Sequence, residues 1–205
     1  MRGILSNIYK NYDLSTITHA KHTKVKIPFA LYSLISTWFF IGRIRFASGT
    51  LGSLGFYPLY YWLLLHAADS SEAILNLWIC TVVLFILGLW AVTAFQNNTK
   101  TFDHSSIVID EVIGMSLTLA ISFKWLYLIS QSYFNLFGIS QMDLTFIIAF
   151  IGFRFFDIRK PFFIKYVDRY YKNPFGVILD DLLAAIFAGV VFYILYVIYD
   201  FFRFL

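Results

Sequence analysis

The sequence predicts an all-α fold, a polytopic membrane helical bundle, and three observations carry that prediction. The 205 residues are 60% hydrophobic and only 14% charged, whereas soluble domains are about half apolar and about a quarter charged. Mean hydropathy is +0.72. The apolar residues gather into runs close to the length of about 20 that a helix needs to cross a bilayer, and lysine and arginine bracket these runs.

Residues 1–26 are polar and basic, with Arg2, Lys10, Lys21, Lys24 and Lys26, and no apolar stretch there leads to a small-residue cleavage site. They are expected to form a cytoplasmic basic N-terminal segment rather than a removable signal. Residues 27–205 are expected to form a single membrane-embedded domain, since apolar runs use up most of that length. The run 27–42 is short, starts at Pro28 and ends before Arg43 and Arg45, which fits an interfacial or re-entrant helix. Five later runs, 51–68, 73–95, 106–130, 142–158 and 182–199, predict about five transmembrane helices; the first and fourth are short.

Basic loops near span ends stay in the cytoplasm. If 27–42 does not cross, the cytoplasmic side receives residues 1–50, the 96–105 loop and the 159–178 loop, with Arg154 near the last of these, and so holds 14 of the 16 basic residues, leaving Lys124 and Arg203 opposite. The net charge of +4 is small and scattered, which excludes a nucleic-acid footprint. The single cysteine, Cys80, sits inside an apolar run and reads as packing. No obligate protein partner is implied.

Four polar constellations fall at the cytoplasmic ends of the expected spans. Gly49-Thr50-Leu51-Gly52-Ser53 opens the first. Small and hydroxyl residues at a helix start leave backbone N–H groups facing a positive dipole end, which suits phosphate, although a plain N-cap with small packing residues has the same pattern. Asp103-His104-Ser105-Ser106-Ile107-Val108-Ile109-Asp110-Glu111 opens the third span. Asp103 and Asp110 are two helical turns apart and share a face if the helix begins early. Carboxylates entering an apolar helix default to function; the plain alternative is a salt bridge to Arg154 or Lys160. His104 reads as a surface residue, with a ligand or acid role as the alternative.

Arg154, Asp157 and Lys160 recur at three-residue spacing before Pro161, so one helix face presents cation, anion, cation. Arginine suits a bidentate phosphate grip and lysine a point-charge contact. Asp180 and Asp181 are read as capping the last span, followed by the small Ala184 and Ala185. Six carboxylates, Asp103, Asp110, Glu111, Asp157, Asp180 and Asp181, thus gather with Arg154 and Lys160, and Arg43 or Arg45 are further candidates. Such a density repels itself unless a cation neutralises it. An all-oxygen ligand set selects a hard ion, Mg²⁺ or Mn²⁺ ahead of Ca²⁺. Acidic metal ligands beside phosphate-gripping cations point to phosphoryl chemistry.

At these four blocks the chain resembles the phosphatidylglycerophosphatase A family, bacterial inner-membrane lipid phosphatases. The family signatures P-G-T-x-G-S, D-H-x-S-I-V-x-D-E-x-x-G-M, F-R-x-x-D-x-x-K-P and G-x-x-x-D-D-x-x-A-G correspond here to Ser48 to Ser53, Asp103 to Met115, Phe153 to Pro161 and Gly176 to Ala185. The departures are Ser48 for proline, Phe163 where a second proline often follows, Ala185 for glycine, and Asn173-Pro174-Phe175 leading into the last block. Residues 1–47 lie outside these signatures and inherit no role from them.

The resemblance implies Mg²⁺-dependent hydrolysis of phosphatidylglycerophosphate to phosphatidylglycerol and inorganic phosphate, by a multi-pass enzyme of the bacterial inner membrane. In that reading Asp110, Glu111, Asp157, Asp180 and Asp181 hold metal, and Asp110, Glu111, Asp157, Asp181 and Asp103 are catalytic. Thr50, Gly52, Ser53, Arg154 and Lys160 bind substrate. The nucleophile is left open between an activated water and an aspartate. A membrane cation transporter is the rival from another class, because membrane carboxylates also mark ion paths; it predicts acids spread through the bilayer depth and repeated halves. Other lipid enzymes need paired histidines or a long aspartate array, and the chain offers neither.

Overall fold

The computed structural model describes residues 29–101, 104–171 and 173–203, so the expected N-terminal segment 1–26 lies outside them. All regular structure among the described residues is helical. In chain order it comprises α1 (Phe29–Ser36), a 3₁₀ turn (Ile41–Arg43), α2 (Ser48–Leu54), α3 (Tyr57–Leu65), α4 (Ser70–Thr99), α5 (Ile109–Phe137), α6 (Gln141–Arg159), α7 (Phe162–Tyr170) and α8 (Pro174–Arg203).

Three of these, α4, α5 and α8, are long and apolar enough to cross a membrane. At about 1.5 Å per residue, their 30, 29 and 30 residues exceed the roughly 30 Å hydrocarbon core. Helix α6 has 19 residues but carries Asp143, Arg154, Asp157 and Arg159 and is not among the three. The expected single span at 51–68 is instead two short helices, α2 and α3. Pro58 lies in the first turn of α3 and has no N–H to continue the ladder back to α2. The count of five crossings is therefore not reached by helices that are both long and apolar.

Helix α5 is the hub. Every residue from Val112 to Ala120 is buried, because α2, α4, α6 and α8 all pack against it. Helices α4 and α8 instead leave large side chains such as Ile86, Trp90, Ile194 and Ile198 outward, as lipid-facing helices do. Between helices, small hydroxyls bond in pairs, Thr81 to Ser116 at 2.7 Å and Ser130 to Thr145 at 2.9 Å, the kind of contact that joins helices where lipid removes the hydrophobic drive.

Two boundaries differ from the sequence reading. Helix α8 starts at Pro174, well before Asp180, and the Asn173 side chain accepts the Gly176 N–H at 2.7 Å, so Asn173 is the cap and Pro174 takes the favoured first position. Asp180 and Asp181 lie inside the helix. The expected loop 159–178 contains α7, which buries Ile164 and Val167 and exposes Lys165, Tyr166, Arg169 and Tyr170. That three-residue spacing of buried positions is an amphipathic surface helix.

Candidate active site

Helix α5 begins at Ile109, so Asp110 and Glu111 occupy its first turn, where the helix dipole favours negative charge. The start is held from outside, since the Val108 N–H donates to the Ser36 carbonyl at 3.0 Å. Asp103 lies outside the described residues, and a helix beginning at Ile109 removes the shared-face argument that linked it to Asp110.

Helix α8 brings Asp181 to the same place. Asp110, Glu111 and Asp181 each offer an oxygen, and these atoms lie within 4.8 Å of one another. Asp181 is 4% exposed. Asp110 Oδ1 and Glu111 Oε2 are buried with no hydrogen-bond partner, although buried polar groups normally have one. Three converging carboxylates with two orphaned oxygens cost free energy as bare anions. The donor set is all oxygen, with no cysteine or histidine in the cluster, and fits a hard divalent cation such as Mg²⁺.

Two glycines allow the helices to close around this cluster. A Cβ on Gly114 would lie 2.6 Å from two ring atoms of Phe153 and 3.2 Å from the Asp181 Cβ, so α5, α6 and α8 meet over a missing side chain. A Cβ on Gly49 would fall 2.4 Å from Glu111 Oε1 and 3.3 Å from an Arg154 guanidinium nitrogen. Only hydrogen fits between α2 and the Glu111 carboxylate.

The remaining carboxylates are tied to cations. Arg154 donates to Asp157 one turn on, and the Arg154 Nε is buried without a partner. Lys160, at the end of α6, donates to Asp180 Oδ2 at 2.7 Å. A cavity of about 230 Å³ opens here, lined by Asp110, Glu111, Asp157, Lys160, Asp180 and Asp181 and also by Ser48, His104 and Ser105. Its wall thus carries both carboxylates and a lysine ammonium.

The structure thus brings together Asp110, Glu111, Asp157, Lys160, Asp180 and Asp181, with Arg154 bonded to Asp157. It does not bring Thr50, Gly52 or Ser53 to the cavity wall. Gly52 and Ser53 are buried; Ser53 Oγ donates to the Gly49 carbonyl at 2.9 Å, and a Cβ on Gly52 would press on Val108. The small residues of α2 serve packing on α5, and Ser48 is the member of that block that faces the cavity. His104, read from sequence as a surface residue, also lines it. Its Nδ1 accepts the Ser106 N–H at 3.3 Å and lies 2.6 Å from Ser106 Oγ.

A family profile described as phosphatidylglycerophosphatase A matches residues 34–196. The chain belongs to the phosphatidylglycerophosphatase A family. Among curated proteins it is similar to a phosphatidylglycerophosphatase A of Haemophilus influenzae, 35% identical over 77% of this chain and 84% of the relative. It is 27% identical to that of Escherichia coli, over 80% of this chain and 83% of the relative. A protein of Bacteroides thetaiotaomicron called a putative phosphatidylinositol-3-phosphatase is 30% identical over 80% of this chain and 92% of the relative. No solved structure matches. The phosphatidylglycerophosphatase A match reaches back to Leu34, so the last three residues of α1 and the 3₁₀ turn after it, which the four sequence blocks left without a role, fall within the family region.

Proposed function

We propose that this protein is a Mg²⁺-dependent phosphatase that removes the terminal phosphate of phosphatidylglycerophosphate, releasing phosphatidylglycerol and inorganic phosphate at the cytoplasmic face of a bacterial inner membrane. The observation that carries this reading is the convergence of Asp110, Glu111 and Asp181, two of their oxygens orphaned, on a cavity that Lys160 also lines. The family match and the names of two relatives support the substrate. The excess of basic residues on one set of loops supports the orientation.

In this reading Asp110, Glu111 and Asp181 hold the cation, and Asp157 and Asp180 lie at its margin. When bound, Mg²⁺ would offset charge on the phosphoryl oxygens and favour an anionic nucleophile at neutral pH. The chain's own residues do the rest. Lys160 and Arg154 take phosphoryl oxygens, oriented by the carboxylates of Asp180 and Asp157, which hold them before substrate arrives. The enclosing helices keep bulk water from weakening these contacts. Overall one water is consumed, the bond from phosphorus to the glycerol oxygen breaks, and that oxygen leaves as an alcohol.

The test is phosphate release by purified protein from phosphatidylglycerophosphate, phosphatidic acid and phosphatidylinositol 3-phosphate, compared as kcat/KM. Phosphatidylglycerophosphate is expected to be the best substrate. A preference for the inositol lipid would make the Bacteroides relative the better guide, and no release from any of the three would overturn the phosphatase reading.

A further inference from the structure

A second cavity, of about 430 Å³, lies beside the first and shares the wall formed by Ser48, His104 and Ser105. Its charged lining is basic, contributed by Arg43 and Arg45. Neither arginine forms an ion pair among the described residues. The Arg43 guanidinium donates to Ser33 Oγ at 3.2 Å and stands 4.5 Å from the centre of the Phe40 ring.

The backbone that presents these arginines is constrained. Trp38, Phe39 and Phe40 are three consecutive non-glycine residues with φ of 43°, 54° and 68°, a conformation costing roughly 1–2 kcal/mol per residue. It is held by the Trp38 indole donating to the Gly55 carbonyl at 2.9 Å and by the Phe40 N–H donating to Thr37 Oγ1 at 3.2 Å. At Gly42 a Cβ would sit 2.0 Å from the Ser106 carbonyl oxygen, so the turn is seated directly on the loop that leads to Asp110. Such strain persists where the surroundings over-determine it, often at ligand sites. Phe39, Phe40, Ile44 and Phe46 point outward, Phe46 being 85% exposed. Apolar side chains flanking arginines seat a segment at the headgroup level of a membrane.

We propose that the Arg43–Arg45 cavity binds the phosphodiester of the lipid substrate, while the carboxylate cavity takes its terminal phosphomonoester. The proposal rests on the function proposed above, whose substrate carries both groups, joined through one glycerol. Two cavities of suitable chemistry sharing a wall match that arrangement: the diester needs cations and no metal, and the monoester needs the metal site. Arg43 and Arg45 are then specificity residues, selecting a monoester that has a phosphodiester nearby over one that lacks it.

The experiment compares wild type with Arg43→Gln/Arg45→Gln and Arg43→Lys/Arg45→Lys in detergent. It measures KM and kcat for phosphatidylglycerophosphate, inhibition by phosphatidylglycerol (diester only) and by inorganic phosphate, and direct binding of short-chain phosphatidylglycerol. The glutamine variant is expected to raise KM about tenfold or more with kcat within about twofold, the scale of losing charged hydrogen bonds. Phosphatidylglycerol inhibition should weaken in parallel while inhibition by inorganic phosphate stays unchanged, and the lysine variant should keep most of the wild-type behaviour. Unchanged KM and unchanged phosphatidylglycerol inhibition would overturn the proposal, as would equal weakening by both inhibitors, which would place the arginines at the monoester. Should wild type release no phosphate, the function fails separately. In that case phosphatidylglycerol binding lost only in the glutamine variant still supports the diester site, and binding that is absent or unaffected overturns it.

Discussion

Lys160 ends α6 and donates to Asp180 in the second turn of α8, 2.7 Å away and twenty residues on in sequence. This contact joins the cationic block of the site to its acidic block, and it holds the ammonium at the cavity wall.

Lys160→Ala removes that ammonium. We expect kcat/KM for phosphatidylglycerophosphate to fall about 10- to 100-fold, the range for charged hydrogen bonds, with Lys160→Arg recovering part of the loss. Steady-state kinetics with both variants checks this. Equal kcat/KM in Lys160→Ala and wild type would remove Lys160 from substrate binding.

Gly49→Ala places a methyl where only 2.4 Å separates its carbon from Glu111 Oε1. The carboxylate must move, so the Mg²⁺ concentration giving half-maximal activity is expected to rise several-fold or more, as misplacing a group by about 1 Å commonly costs. A magnesium titration of activity reads it directly. An unaltered half-saturation would show that Glu111 does not need its present position.

Gly114→Val forces a side chain against Phe153, whose ring atoms lie 2.6 Å from the Cβ position. Overpacking of this kind costs about 1–3 kcal/mol, so the melting temperature in detergent should drop. Phe153→Leu should return part of the loss when combined with it, because the two sites share one contact. Additive losses in the double variant would contradict this account of the helix crossing.

The nucleophile is open to a chemical test. Hydroxylamine added during turnover traps an acyl phosphate if an aspartate attacks phosphorus, and leaves the protein unmodified if water attacks directly. Mass spectrometry of the Asp110 and Asp181 peptides would show a hydroxamate at one of them in the first case and none in the second.

Much of this architecture is legible from local patterns. Long apolar runs give α4, α5 and α8, and the acids in the first turn of α5 and the second turn of α8 stand out because carboxylates are costly beside lipid. Other features depend on signals that hydropathy does not carry. Asn173-Pro174 is a cap-and-first-turn pair that starts α8 early, and Pro58 divides the run 51–68; both are readable as backbone chemistry. Helix α7 is visible only as the spacing of Ile164 and Val167 within a charged stretch. Pairings such as Gly42 on Ser106, Gly49 on Glu111 and Lys160 with Asp180 have no local pattern, because they arise where distant segments pack. That is also why Thr50, Gly52 and Ser53 read as a phosphate loop although two of them are buried in packing.

In the proposed function Asp110, Glu111 and Asp181 act together as a divalent-cation site for phosphate removal. Its most direct test is phosphate release from phosphatidylglycerophosphate with EDTA and after Mg²⁺ is restored, for wild type, Asp110→Asn and Asp181→Asn. EDTA is expected to abolish wild-type turnover and Mg²⁺ to restore it, while each variant stays at least about a hundredfold below wild type at saturating Mg²⁺, the scale of losing one transition-state electrostatic contact. Turnover that persists in EDTA, or a folded Asp110→Asn or Asp181→Asn enzyme with wild-type activity, would contradict it.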